Sequence, residues 1–198
     1  MRTSPTATAC LLAALLAGRP ADAAPARFVI DPEHTFVAFM VSHIGYHNLL
    51  AQFLEVKGSY VFDEEARTLT DLSVTIDPAS VFTNNAKRDE HVRSQDFLDA
   101  ARHPAITFVG TGAEPTGFDT GKVTGDLTIR GVTRPVTLDV RLNKIGLYPY
   151  VDNYVVGISA RTTIRRSEWG MTYGVDNGLV GDEVQIIIEC EAIREKQD

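Results

Sequence analysis

The sequence predicts an all-β domain of eight antiparallel strands with one inserted helix. Apolar and polar residues alternate with a period of two over most of the chain, which is typical of strands with one buried face. Turn residues interrupt the alternation repeatedly, so most connections are short. Short connections favour antiparallel neighbours, because a parallel crossover needs roughly a dozen residues or more. This pattern fits either a sandwich or a closed barrel.

The strands follow from this alternation in chain order. Segment 136–143 alternates without an exception. Segment 122–130 places Gly125 on its inner side, where glycine weakens a strand but allows the sharp bend that barrel closure requires. The predicted strands are 28–41, 51–62, 69–77, 105–113, 122–130, 136–144, 154–164 and 183–194.

One helix interrupts the strands, and the sequence predicts it over residues 85–101. Asn84 or Asn85 can cap its first turn, and Asp89 with Arg93 has the i,i+4 spacing of a surface ion pair. A histidine–proline pair ends it, because the residue before proline is pushed out of the helical region. We expect this helix to lie near a mouth of a barrel.

The first 23 residues are predicted to be a Sec-type signal peptide. An apolar stretch from Ala9 to Ala17 follows a positively charged start, and Ala21 and Ala23 supply the small residues for cleavage after Ala23. Nine apolar residues are too few to cross roughly 30 Å of hydrocarbon, which argues against a membrane anchor. The folded domain is then 24–198, with Cys190 as its single cysteine and no internal disulfide.

Composition and charge argue against several classes of protein. The 198-residue chain is 44% hydrophobic and 23% charged, values that do not fit disorder, collagen or a coiled coil. Its net charge is −7, with lysines and arginines scattered along the chain. A phosphate backbone or an anionic membrane surface would repel such a chain, so we expect no nucleic-acid partner.

The sequence predicts no catalytic site and no metal site. There is no nucleophile elbow of the G-x-S-x-G type, and a cysteine on the apolar side of a strand is typically buried and inert. No cysteine pair and no His-Glu-x-x-His run is present. The remaining candidate ligands are the histidines His34, His43, His47, His91 and His103. We interpret them as polar residues at barrel ends, and Asp31–His34 as a tight turn.

The sequence has more apolar side chains than one buried face of each strand needs, and this surplus bears on function. In segment 35–41 both faces of the strand are apolar, and aromatic residues recur in the later strands and loops. A closed eight-stranded barrel has an interior that side chains just fill or that holds one ligand. Burying a chain of about 16 carbons offers about 13 kcal/mol at about 0.8 kcal/mol per CH₂. Association takes back roughly 4–15 kcal/mol, so only a long apolar molecule would bind tightly.

Short segments along the whole chain match a known pattern. They include DPEH at 31–34, RDEHVRS at 88–94, HPAITF at 103–108, TGDLTIRGVT at 124–133 and RRSEWGM at 165–171. In these segments the chain resembles the YceI-like family of exported lipid-binding proteins. The resemblance implies a lipocalin-like antiparallel barrel that encloses a polyisoprenoid or another long-chain amphiphile. It also implies a periplasmic protein, often a homodimer, without an agreed enzymatic activity, and we expect no cofactor.

The candidate site residues form two sets. Aromatic and sulfur side chains are predicted to contact the ligand tail inside the barrel: Phe36, Met40, Phe53, Phe97, Phe108 and Trp169. A polar set is predicted to lie at a mouth or to support the structure: Asn84, Arg88, Asp89, His91, Arg165 and Arg166. We expect the two arginines at 165 and 166 to pair with acidic loop residues such as Glu168.

Three functions compete. The leading hypothesis is a non-enzymatic carrier or store of a polyisoprenoid or fatty lipid in the periplasm. The second is an interaction module for a membrane redox protein, which requires an exposed apolar patch outside the barrel. The third is a barrel enzyme with His34 or His43 as base, which requires a histidine inside the barrel with a perturbed pKa beside a second polar group.

Overall fold

The computed structural model describes residues 25–196, so the predicted signal peptide at 1–23 lies outside the described residues. The elements in chain order are β1 (Ala26–His43), β2 (His47–Phe53), β3 (Val56–Asp63), β4 (Thr68–Ile76), a 3₁₀ turn (Pro78–Ser80), β5 (Val81–Phe82), α1 (Ala86–Arg93), β6 (Ile106–Pro115), β7 (Thr120–Ile129), β8 (Val132–Leu147), β9 (Tyr154–Arg165), a second 3₁₀ turn (Arg166–Trp169) and β10 (Val180–Arg194). In this described part of the chain, no helix is long and apolar enough to span a bilayer.

The pairing of the first and last long strands closes the barrel. Eight strands follow one another in the order β1–β3–β4–β6–β7–β8–β9–β10, and β10 pairs back onto β1. The β1–β10 ladder is antiparallel and extends from the Phe28–Arg194 pair to the His43–Val180 pair. The predicted eight-stranded antiparallel barrel is therefore confirmed, and the sandwich that the alternation also allowed is excluded.

The predicted strand 51–62 is two strands, β2 and β3, that share β1 as a partner. The first residues of β1 pair with β3, and its last residues pair with β2. Between β2 and β3 the backbone N–H groups of Leu54 and Glu55 donate to the hydroxyl of Ser80 at 3.2 and 3.1 Å. The ladder with β1 ends at Phe53, and the chain is held here by Ser80 before β3 begins. The two-residue strand β5 then pairs with the end of β2.

A large bulge interrupts β1 where the sequence predicted a tight turn. Ile30 lies opposite Ala192 and Thr35 lies opposite Cys190, so the four residues between them face one residue of β10. The Asp31 carboxylate accepts the backbone N–H of Glu33 at 3.0 Å within this bulge. The segment is therefore part of β1 and bends the strand, as bulges do at barrel rims.

The helix α1 is shorter than the predicted 85–101. The side chain of Asn85 accepts the backbone N–H of Arg88 at 3.1 Å, which confirms a cap at this residue. Asn84 has a φ of +63° and forms the turn before the helix. The helix ends at Ser94, whose backbone is extended. The ring of His91 contacts Tyr173 at 5.0 Å, so α1 lies at the barrel end that carries the loop before β10.

Asp89 does not form the predicted surface pair with Arg93. Its side chain is buried, and one carboxylate oxygen accepts the backbone N–H of Thr83 at 2.7 Å and the hydroxyl of Thr83 at 2.6 Å. A buried carboxylate requires such partners, because an unsatisfied charge away from water is costly. Asp89 therefore fixes the start of α1 to the segment that follows β5.

We expect Asp89→Ala to lower the free energy of unfolding by about 1–3 kcal/mol, because it leaves two buried donors of Thr83 unsatisfied. Glu90→Ala is the matched control, since Glu90 is the exposed neighbour on the same helix. Chemical denaturation of the purified protein measures both. Equal losses in the two variants would contradict this role of Asp89.

Candidate functional site

The barrel encloses a cavity of about 590 Å³. All eight strands of the closed barrel contribute side chains to its wall, and most of these side chains are apolar. Its volume lies within the range of about 300–1,000 Å³ that is typical of ligand pockets. The inner residues of β8 and β10 show the predicted alternation: Val136, Leu138, Val140, Leu142, Val184, Ile186, Ile188 and Cys190.

Three of the predicted tail contacts line the cavity, namely Phe53, Phe97 and Phe108. Phe53 packs against Phe39 of β1, with 5.5 Å between their ring centroids. Phe108 lies over Gly125, where an added Cβ would come within 2.4 Å of the Phe108 ring. Gly125 therefore allows the close approach of an aromatic ring. That these three residues contact a ligand stays a prediction.

The structure places the other three predicted tail contacts outside the cavity wall. Phe36 is 54% exposed, and neither it nor Met40 lines the cavity, because their side chains point to the outer face of β1. The inner face of β1 carries Val37 and Phe39 instead, which corrects the predicted register by one residue. Trp169 is buried in the core and donates its indole N–H to the carbonyl of Leu127 at 3.2 Å.

Of the six predicted polar residues, three line the cavity and three do not. Arg88, His91 and Arg166 line the cavity, whereas Asn84, Asp89 and Arg165 do not. Arg165 is exposed and lies 3.8 Å from the carboxylate of Glu183 on the neighbouring strand. The expected partner of the two arginines, Glu168, instead uses its backbone carbonyl to accept an N–H of Arg134 at 2.9 Å.

Arg166 is the buried cation of the site. It is only 3% exposed, and its guanidinium donates to four backbone carbonyls, those of Met171, Tyr173, Val180 and Gly181, at 2.7 to 2.8 Å. Burial lowers the pKa of this guanidinium, although the group keeps its charge at neutral pH. Arg166 therefore holds the loop before β10 against the cavity. The sequence contained a signal for this, because the alternation that turns Ile164 inward also turns Arg166 inward.

An aromatic cluster surrounds this end of the cavity. The ring of Phe97 contacts the rings of His91 and Tyr173 at 5.1 and 5.3 Å, and the guanidinium carbon of Arg166 lies 5.5 Å from the Phe97 ring. His91 is also hydrogen-bonded to Asp96, with 3.0 Å between Nε2 and Oδ2. Three predicted site residues, His91, Phe97 and Arg166, therefore lie together at the α1 end of the cavity.

Between its two ends the cavity is uncharged. The cavity wall also includes Cys190 and Tyr60, and burial raises the pKa of both side chains, so both are neutral at physiological pH. The hydroxyl of Thr35 donates to the Cys190 sulfur at 3.5 Å. This surrounding agrees with the prediction that Cys190 is an inert, buried thiol.

The histidines that an enzyme would need lie at the edge of the cavity or outside it. His34 is on the outer face, and its hydrogen bond to Asp31, with 2.8 Å between Nδ1 and Oδ2, raises its pKa. Together with Glu191, these two residues form a group within residues 25–196 whose side-chain ligand atoms lie close enough to hold a metal ion. His43 lies at the end of β1, where its ring meets the ring of His47 at 5.5 Å.

Comparisons with known proteins agree with this architecture. The model of the YceI-like domain family matches residues 28–192. A UPF0312 protein of Pectobacterium carotovorum is 38% identical over 174 residues, which are 88% of each chain. A crystal structure of a YceI protein from Campylobacter jejuni has 30% identity and a TM-score of 0.71, and the match covers 79% of this chain and 90% of that one. A polyisoprenoid binding domain from Saccharophagus degradans shares the fold at 14% identity, with a TM-score of 0.64 over 87% of this chain and 100% of that one.

We expect Gly125→Ala to destabilise the protein by about 1–3 kcal/mol, because the new methyl group would overlap the Phe108 ring in a packed wall. Gly112→Ala is the matched control on the neighbouring strand, where an added Cβ meets no atom within 4 Å. Thermal unfolding of both variants measures the difference. If Gly125→Ala were as stable as Gly112→Ala, the close packing of Phe108 on β7 would be refuted.

Proposed function

The chain belongs to the YceI-like family, and from this premise we propose that it binds a polyisoprenoid or another long-chain amphiphile inside its barrel without transforming it. The observation that carries the proposal is the apolar cavity of about 590 Å³. Its uncharged middle is suited to a hydrocarbon tail, and its polar ends are suited to a head group. Each buried CH₂ contributes about 0.8 kcal/mol, so affinity grows with tail length.

The proposed role is to carry or store this lipid in the periplasm. The predicted signal peptide would export the protein, and the closed sheet would shield the tail from water. The expected homodimer remains a prediction. The Saccharophagus degradans domain of the same fold is a polyisoprenoid binding domain, which is compatible with a ligand of this class.

An apolar patch outside the barrel favours an additional role as an interaction module. Phe36 and Met40 point outward on β1, and the cross-strand neighbour of Met40 is Leu50, which is 60% exposed. Phe82 of β5 extends this surface next to β2. Exposed apolar patches of this kind mark interaction sites, so the alternative that the sequence left open is kept as the second candidate.

The first test is mass spectrometry of an organic extract of the protein purified from the periplasm of its own organism. We expect a long-chain amphiphile in stoichiometric amount, because an apolar cavity of this size favours a bound tail over water. An empty protein that also takes up no lipid in a binding assay would refute the carrier function.

A pair of variants links the lipid to the cavity. Ile186→Trp adds bulk to the inner wall, whereas Gln185→Trp adds the same side chain at the adjacent exposed position on the same strand. We expect the first variant to retain several-fold less lipid than the second, because it shortens the space for the tail. Circular dichroism establishes that both variants are folded. Equal lipid content in the two folded variants would mean that the lipid is bound elsewhere.

A further inference from the structure

The charged side chains that line the cavity are distributed unequally between its two ends. One end lies at the β3–β4 and β6–β7 turns and carries both signs: Arg67, Glu114, Asp119 and Lys122. The other end lies at α1 and carries Arg88 and Arg166, together with the histidines of that mouth. Among the described residues that line the cavity, this second end has no carboxylate. The cavity therefore has one electrically mixed end and one cationic end.

The charge of Arg166 forms no ion pair within residues 25–196, although the carboxylate of Asp182 attracts it through space. Its four hydrogen bonds go to neutral carbonyls, and no carboxylate within residues 25–196 forms an ion pair with it. A guanidinium has five N–H donors, so one N–H on Nη1 has no acceptor in the described part of the chain. Burying an unpaired charge is costly unless a partner compensates it. A negatively charged group at the end of the cavity would be that partner.

Arg88 adds a second cation at the same end. Its Nε and Nη2 donate to the hydroxyl and the carbonyl of Thr83 at 2.9 and 2.6 Å, so its position on the cavity wall is fixed. Its Nη1 group has no acceptor among the residues that the structure describes. The two guanidiniums thus retain donors at a mouth that is half-buried and apolar.

The nearby carboxylates are bonded to other groups, and Asp182 attracts Arg166 only through space, without a hydrogen bond to it. Asp89 accepts two hydrogen bonds from Thr83, and Asp96 is bonded to His91. Asp182 accepts the backbone N–H and the hydroxyl of Ser167 at 2.9 and 2.8 Å. None of the three lines the cavity.

We propose that the ligand carries an anionic head group, a phosphate or a carboxylate, and that Arg166 and Arg88 bind this head at the α1 end of the cavity. This inference rests on the proposed lipid-binding function and adds the chemical class of the head group. The planar guanidinium fork matches both phosphate and carboxylate oxygens. The tail then extends along the uncharged middle toward the mixed end.

The test compares ligands that differ only in their head groups. Equilibrium dialysis of the purified, delipidated protein gives the Kd of geranylgeranyl phosphate and of geranylgeraniol, and a second arm compares palmitate with hexadecanol. We expect at least one anion to bind about 10-fold more tightly than its alcohol, which corresponds to about 1.4 kcal/mol. The two arms distinguish a phosphate head from a carboxylate head. Equal affinities of anion and alcohol in both arms would overturn the inference.

Arg88→Gln tests the assigned contact, because replacing Arg166 would release the loop that it holds. We expect Arg88→Gln to lower the ratio of anion affinity to alcohol affinity several-fold, because only Arg166 then remains, and Arg88→Lys to preserve most of it. Lys87→Gln removes the same charge from the exposed neighbouring position of α1 and is expected to leave the ratio unchanged. A ratio that survives Arg88→Gln, or that falls equally with Lys87→Gln, would overturn the inference. Failure of all four ligands to bind would overturn the lipid-binding function itself.

Discussion

The structure depends on the ladder between β1 and β10. This pairing joins the two ends of the sheet and leaves every barrel strand with a partner on both sides. Closure leaves no open edge in the sheet, and an eight-stranded barrel has an interior that can hold one small ligand. The barrel can therefore keep a cavity of about 590 Å³ where an open sheet would have to bury its apolar face against another layer.

Packing is concentrated at the two ends of the barrel. One cluster at the α1 end includes Trp169, Leu127 and Met171. A smaller cluster at the other end includes Phe28, Tyr60, Val156 and Ala192, with the Phe28 and Tyr60 rings stacked at 5.6 Å. Leu69 and Leu72 pack against both clusters. Stability is supplied by these two clusters, and the cavity is available for a ligand.

Alternation and turn residues predicted most strands well, because they are local signals, but they fitted a sandwich as well as a barrel, and only the resemblance to the YceI-like family favoured the barrel. The sequence could not determine the register of β1, where both faces are apolar and only the ladder with β10 decides that Phe39 points inward and Phe36 outward. The split between β2 and β3 was also hidden, because the residues between them are held by Ser80, which is distant in sequence. Asp89 was misassigned for the same reason, since helical spacing shows a neighbour on the helix but not Thr83 beside it.

Arg166 has two roles at the α1 end of the cavity: it holds the loop before β10, and it supplies a positive charge to the cavity wall. The same guanidinium that would face a ligand head holds the carbonyls of Met171, Tyr173, Val180 and Gly181. An anion beside this buried guanidinium would offset part of its desolvation cost, in addition to the attraction from Asp182. Because a ligand that binds only the folded state stabilises it by RT ln(1 + [L]/Kd), lipid binding and loop order are thermodynamically coupled. Replacing Arg166 would therefore change the fold of the mouth together with its affinity, whereas Arg88 separates the two contributions.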